Sequence, residues 1–250
     1  MVGLGTLVNI VAILVGSAAG VWFGGRLPER TTRTVTDALG LMVLVIGGLN
    51  VMAIRDEAYV SAVGSGFALL VVLAALLIGG IAGSLARIED RLGSLGGWLQ
   101  AKLVRGDTDG STRARFIEGY VDASLLFCIG PMAVLGSLSD GLGKGIDQLA
   151  LKSVLDGFAA LAFAAPLGWG VAASAISVGV WQGLLTVLAV LLGSLLPDAV
   201  VASVTATGGV LLLGVGLRLL QARAVPVGDL LPALVVAPVL TAVIMALAGG

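Results

Sequence analysis

Apolar residues arrive in this chain in successive runs of roughly 20, and that pattern leaves few folds open, because such a run crosses the hydrocarbon of a bilayer as a helix. In hydrocarbon every backbone polar group must be satisfied within the protein, which favours helices over irregular backbone. Eight runs can be traced: Val2–Gly25, Val35–Ile54, Val60–Ala86, Phe116–Leu138, Leu149–Pro166, Leu167–Leu196, Ala199–Gln221 and Leu230–Ala248, here called spans 1 to 8. Leu149–Leu196 is too long for one span, and a break near Pro166 leaves span 5 short, so seven spans with a re-entrant piece is the alternative. The chain is 58% hydrophobic and 12% charged, with a mean hydropathy of +1.10. A soluble domain has about a quarter of its residues charged. The expected fold is an all-α polytopic transmembrane helix bundle, with residues 1–250 forming a single integral membrane domain. Met1–Val15 lacks a basic leader and is read as a retained helix, not a signal peptide.

Charge sets the expected topology. Arg26, Arg30 and Arg33 follow span 1, six basic residues from Arg87 to Arg115 lie between spans 3 and 4, and Arg218 and Arg223 flank the end of span 7. With eight spans all of these fall on one side, which the positive-inside rule makes cytoplasmic, with both termini outside. The loop 87–115 is the long hydrophilic connection. Ile88–Val104 alternates Leu92, Leu95, Leu99 and Leu103 with charged residues, as an interfacial amphipathic helix would, or as a solvated linker; Gly106–Thr112 reads as a turn.

Spans 1–2 and 6–7 resemble each other. Leu27-Pro28 and Leu196-Pro197 end spans 1 and 6, and VTDALGLMVLVIGGL from Val35 parallels VTATGGVLLLGVGLR from Val204. Units five spans apart lie upside down to one another, and the basic loop after span 1 against the acidic Asp198 after span 6 agrees with that. The expectation is a pair of inverted three-helix repeats, spans 1–3 and 6–8, around a hairpin of spans 4 and 5. Inverted repeats recur in secondary transporters, and also in channels.

The candidate pathway residues are ionisable or polar groups inside these runs. A charge at bilayer depth is expensive, by at least ~2.5 kcal/mol, and usually serves a pathway or a partner. In span 5, Lys152 and Asp156 are four residues apart and can pair, Asp156 falls near mid-span, and Ser153 shares its side. A structural ion pair with Lys152 snorkelling to the surface is the plainer alternative. In span 4, Glu118 and Asp122 share a face, as do Ser124 and Cys128, and Gly130-Pro131 opposes a straight helix. Glu118 and Asp122 also suit a helix N-terminus near the membrane surface. Asn9 in span 1 and Gln182 in span 6 are buried-polar candidates, equally readable as interhelical hydrogen bonds. Thr36-Asp37 reads as the cap of span 2, and Ser139–Gln148 as a flexible external turn or gate.

With no His, imidazole relays and imidazole metal sites are out. The single Cys128 rules out an internal disulfide, and a net charge of −1 argues against nucleic acid. No nucleophile–base pair or nucleotide fingerprint stands out, so no enzyme, cofactor or metal is expected. Gly16, Gly20 and Gly24, with Gly79–Gly83 and Gly179–Gly183, form GxxxG faces for close packing within the chain or between protomers of a homo-oligomer.

EGYVDASLLFCIGPMAVLGSLSDGL from Glu118, LKSVLDG from Leu151, SAISVGVWQGLLT from Ser174 and GTLVNIVAILVGSAAG from Gly5 resemble an uncharacterised bacterial inner-membrane family, a domain-of-unknown-function family typified by YdfK and YqgA. The resemblance covers nearly the whole chain. It implies a multi-pass protein of the bacterial inner membrane and supplies no activity or substrate. Function therefore rests on the residues: transport of a small solute or cation, in a proton- or cation-coupled form or otherwise, with an oligomeric channel and a non-transporting scaffold or sensor as alternatives.

Overall fold

The computed structural model describes residues 2–24, 28–64, 66–103, 110–128, 131–143, 145–192 and 197–248. Arg26, Leu27, Arg105, Gly130 and Leu196 lie outside them, as does most of the Gly106–Thr112 turn. The described residues are mostly helical, without strands. Among the described residues seven helices are long and apolar enough to cross a membrane, or eight if one bent pair is a single span. The all-α polytopic expectation therefore holds. Two compact units emerge: Met1–Leu39, Arg91–Cys128 and Met132–Ser194 form the first, and Gly40–Asp90, Ile129–Pro131 and Leu195–Gly250 the second.

In the first unit α1 (Leu4–Gly24) lies against α8 (Asp147–Leu167). Gly16, Gly20 and Gly24 make the contact: a Cβ on them would come 2.1, 2.2 and 2.1 Å from the carbonyl oxygens of Gly157, Leu161 and Ala165. Each pair is one turn further along both chains, so α1 and α8 run parallel. α9 (Gly170–Leu192) returns antiparallel after Gly168, whose φ of +73° closes the turn. α6 (Gly110–Cys128) packs parallel to α9, where Gly170 leaves room for the Phe116 carbonyl. α5 (Ile88–Leu103) turns Gly96 and Gly97 toward Tyr120 and Arg113 of α6, while Trp98 stays exposed under the Lys102 ammonium. α7 (Pro131–Gly141) follows α6 with a 77° change of direction, and Gly141 meets the Thr186 carbonyl of α9.

Parallel helices in one bilayer are separated by an odd number of crossings. Two candidate spans, Thr36–Arg55 and Phe67–Ala86, lie between α1 and α8. If both of these cross, the bent pair α6–α7 supplies the third as one broken span, which makes eight crossings. Span 5, the one doubted in sequence, is a 21-residue helix, and its break falls at Gly168 and not at Pro166, which sits inside the last turn. The irregular span is the fourth. It also starts early: Gly110, Ser111 and Thr112 belong to α6 and not to a turn.

The second unit is built on α10 (Asp198–Leu219), buried along most of its length because Ala199, Ser203, Ala206, Gly209 and Gly216 let neighbours approach closely. α2 (Glu29–Val51) lays Gly40 and Gly47 against Gly216 and Gly209. α2 begins well before Thr36, so Thr36 and Asp37 are helix interior and not a cap. A 3-10 turn, Met52–Arg55, leads to α3 (Glu57–Val63), capped by the Asp56 carboxylate through the amides of Ala58 and Tyr59 at 3.0 and 3.2 Å. That cap and Gly64, at φ +89°, cut Val60–Val63 away from span 3, which starts at Phe67 as α4 (Phe67–Ala86). α11 (Val227–Leu230) and α12 (Ala233–Ala248) complete the unit, with Gly79 and Gly83 of α4 fitted to Ala233 and Asp229.

Candidate functional site

α8 presents two faces. Leu151, Val154, Leu155 and Phe158 are exposed, as lipid contact requires, whereas Leu149, Lys152, Ser153, Asp156 and Ala160 are buried. The periodicity of an α-helix thus turns the charged residues inward. Asp156 stands near the middle of α8, roughly 15 Å of rise from either end. Its Oδ2 accepts a hydrogen bond from the Lys152 ammonium, one turn back, and another at 3.0 Å from Asn9 Nδ2 on α1. The ammonium also lies 6.0 Å from the centre of the Phe127 ring of α6. Lys152 therefore points into the protein instead of snorkelling. Ser153 Oγ donates to the Leu149 carbonyl at 2.6 Å, which leaves its lone pairs as its remaining polar capacity.

Asn9 belongs to a stripe on α1. Gly5, Thr6, Asn9, Ile13, Gly16, Ser17 and Gly20 form its buried face. Asn9 Oδ1 and the hydroxyls of Thr6 and Ser17 are buried without a protein hydrogen-bond partner. So are both side-chain amide atoms of Gln182, which is 0% exposed, and the hydroxyls of Thr186 and Ser137. Gly179 of α9 lies against Ile10, so on these antiparallel helices Gln182 stands at about the level of Thr6. An amide buried in apolar surroundings costs at least ~1–3 kcal/mol unless it is hydrogen-bonded. These unpaired polar atoms lie on α1, α7 and α9.

Asp140 closes the same end. It lies on α7, is 2% exposed, and accepts from the amides of Gly3 and Gly5 at 3.1 Å each, capping the N-terminus of α1. The expected turn Ser139–Gln148 is therefore much shorter, since Ser139–Gly141 is helix and α8 begins at Asp147. Asp140, Thr6, Ser17 and Ser137 were not among the sequence candidates. Thr6 could have been found from its i, i+3 relation to Asn9; nothing local marks Asp140 as a cap for a helix at the other end of the sequence.

The span 4 candidates divide. Asp122 is fully buried on α6, whereas Glu118 is half-buried near its start. Ser124 Oγ donates to Ser177 Oγ at 3.1 Å, and Ser177 to the Tyr120 hydroxyl at 3.0 Å, a lock between α6 and α9 outside the Asp156 cluster. Cys128, a half-buried free thiol, ends α6 one residue after Phe127. Pro131 is the first residue of α7, where its missing N–H is harmless. Among the described residues no cluster of three or more Cys, Asp or Glu could hold a metal ion. The GxxxG faces of α1 and α4 are filled within the chain, so they are not open to join protomers; a Cβ on Gly183 would meet nothing.

A family model described as "Protein of unknown function (DUF554)" matches residues 4–242. The "Uncharacterized membrane protein YdfK" of Bacillus subtilis (strain 168) is 28% identical, over 84% of this chain and 82% of its own length. The "Uncharacterized protein YqgA" of Escherichia coli (strain K12) is 31% identical, over 84% of each. No solved structure matches. With a helical fold of membrane-spanning length and a family match over nearly all its residues, this multi-pass membrane protein belongs to the DUF554 family.

Proposed function

We propose that the chain carries a small polar solute or cation across the bacterial inner membrane, through the interior of its first unit. Asp156 is the charged centre, Lys152 its counter-ion, and Asn9, Gln182 and Ser153 the polar lining, with Asp122 further along α6. The observation that carries this reading is the buried Lys152–Asp156–Asn9 constellation midway along α8, together with a Gln182 amide on α9 that has no protein partner. A purely structural ion pair accounts for Lys152 and Asp156 alone. It does not account for keeping Gln182, Thr186 and Ser137 buried and unpaired on adjoining helices, since apolar residues of similar size would be more stable there. Proton or cation coupling is one form of the proposal, and catalysis forms no part of it.

The test is flux in proteoliposomes against a panel of monovalent cations and small neutral solutes. Asp156→Asn is expected to lower the transported flux by roughly tenfold or more, as loss of about 1.4 kcal/mol of pathway interaction would. Val154→Ala, on the lipid face of the same helix, should transport like wild type. Wild-type flux of every solute through both Asp156→Asn and Asp122→Asn would end the proposal.

A further inference from the structure

Outside the Asp156 cluster, the first unit carries an apolar groove of about 870 Å³ between α1 and α9, lined by Ile10, Leu14, Trp169, Ala172, Ile176 and Val180. At one end it adjoins a smaller pocket of about 250 Å³, to which Gln100, Thr112 and Arg115 contribute. Phe116 and Trp169 line both, so groove and pocket are neighbours that share these two side chains. The rise of α9 from Trp169 to Val180 is about 16 Å, close to the roughly 15 Å of hydrocarbon in one leaflet of a 30 Å core. The polar end is also the basic end: Arg113 and Arg115 are exposed there, and Lys102 lies over Trp98 on α5. By the positive-inside rule this is the cytoplasmic surface, and Trp169, half exposed at the α8–α9 turn, stands where interfacial aromatics stand.

We propose that groove and pocket form one binding site for an anionic phospholipid of the surrounding bilayer, an acyl chain lying along α9 and the phosphate meeting Arg115. Basic pockets between membrane helices on the cytoplasmic side are suited to anionic head groups. Here a leaflet-length apolar trough adjoins a pocket whose charge complements phosphate. Arg115 lines the pocket and donates to the Thr112 hydroxyl at 3.4 Å, a bond that uses one of its N–H groups and leaves others for phosphate oxygens. Ala172 and Gly179 are the small residues that keep the trough open.

The full chain, purified in detergent and stripped of lipid, is titrated with phosphatidylglycerol or phosphatidylcholine, and bound lipid is counted by native mass spectrometry. One phosphatidylglycerol should bind per chain, with phosphatidylcholine about fivefold weaker, the share one basic residue supplies near an anionic surface. Arg115→Gln should abolish the preference, and Ala172→Phe should weaken both lipids. Val180→Trp, at the bilayer-facing far end, repeats the groove test if the Ala172 variant does not fold. Equal binding of the two lipids, a preference that survives in Arg115→Gln, or a dimer that closes the groove without retained lipid would each overturn the assignment. None of these outcomes depends on the transport reading.

Discussion

Glu89 and Asp229 cap each other's helices. The Glu89 amide, second in α5, donates to Asp229 Oδ1 at 2.9 Å, and Glu89 Oε2 accepts from the Gly228 amide, second in α11, at 2.6 Å. Arg218 Nη1 joins from α10 at 2.5 Å to Glu89 Oε1. Two orphan helix amides are thus satisfied by carboxylates from the partner helix, each placed where the helix dipole favours negative charge. Glu89→Ala should lower stability by about 1–2 kcal/mol, the range for a charge-assisted bond discounted for its partial exposure. Glu89→Gln, which still accepts from Gly228, should lose about half as much. Unfolding of both variants in detergent micelles measures this; a Glu89→Gln protein as stable as wild type would mean that the charge is irrelevant, and losses equal to those of Glu89→Ala would mean that the charge carries the whole contact.

The α1–α8 contact makes a sharper prediction. A Cβ on Gly16 would lie 2.1 Å from the Gly157 carbonyl oxygen, and backbone cannot yield as a side-chain tip can. Gly16→Ala should therefore destabilise the chain by at least about 1–3 kcal/mol, the range for overpacking. Gly183→Ala, with nothing near its Cβ, should be neutral or slightly stabilising, since alanine is the better helix former. Thermal unfolding of the two variants side by side checks the contrast. A neutral Gly16→Ala would show that the two helices are held further apart.

Asp140 ties α7 to the first turn of α1 through Gly3 and Gly5, next to the level of Thr6. Releasing that cap should open this end of the bundle. In a Cys128→Ala background, Thr6→Cys is expected to react slowly with a water-soluble maleimide, and roughly tenfold faster once Asp140→Ala is added, as a loss of about 1.4 kcal/mol from the closed form implies. An unchanged labelling rate would show that the cap does not guard the site.

Much of this was legible in sequence wherever a residue's own helix decides its fate. Asp156 could be placed at mid-depth from helix rise alone, and the inward face of Lys152 and Ser153 follows from their spacing. The glycines of α1 announced a close contact. What the spacing does not carry is the partner: Gly157, Leu161 and Ala165 lie far along the chain, and the face they occupy is one that also suits a second protomer. Asn9 was visible as a buried amide, yet its bond to Asp156 depends on which two helices pack. Asp140 misled because its glycine-rich neighbours read as a loop, although its role is long-range capping. Val60 misled in the opposite sense, since its run is apolar enough to join span 3 and only Asp56 and Gly64 separate it.

The Lys152–Asp156 pair allows structure and function to be separated. Removing one partner of a buried pair strands the other and typically costs about 3–5 kcal/mol, whereas replacing both is far better tolerated. Lys152→Met and Asp156→Asn should each destabilise, the double variant should unfold nearer to wild type, and all three should fail in flux. Recovery of flux together with stability in the double variant would mean that the pair serves the fold alone.

Gln182 takes the same logic to a side chain whose amide no protein atom satisfies. In a purely structural helix, Gln182→Leu exchanges an unpaired buried amide for an apolar group of similar volume, so stability should rise by about 1–3 kcal/mol. If the amide instead meets the transported species, the same substitution removes the contact that gives the unpaired group its use. Stabilising a site in this way commonly sacrifices function. The expected result is a higher unfolding temperature combined with a flux at least about tenfold lower, the equivalent of one lost hydrogen bond to a polar guest. Unfolding and proteoliposome flux measured on one preparation decide it. A more stable protein that transports at the wild-type rate would remove Gln182 from the pathway, and a less stable one would mean that its amide is satisfied within the fold.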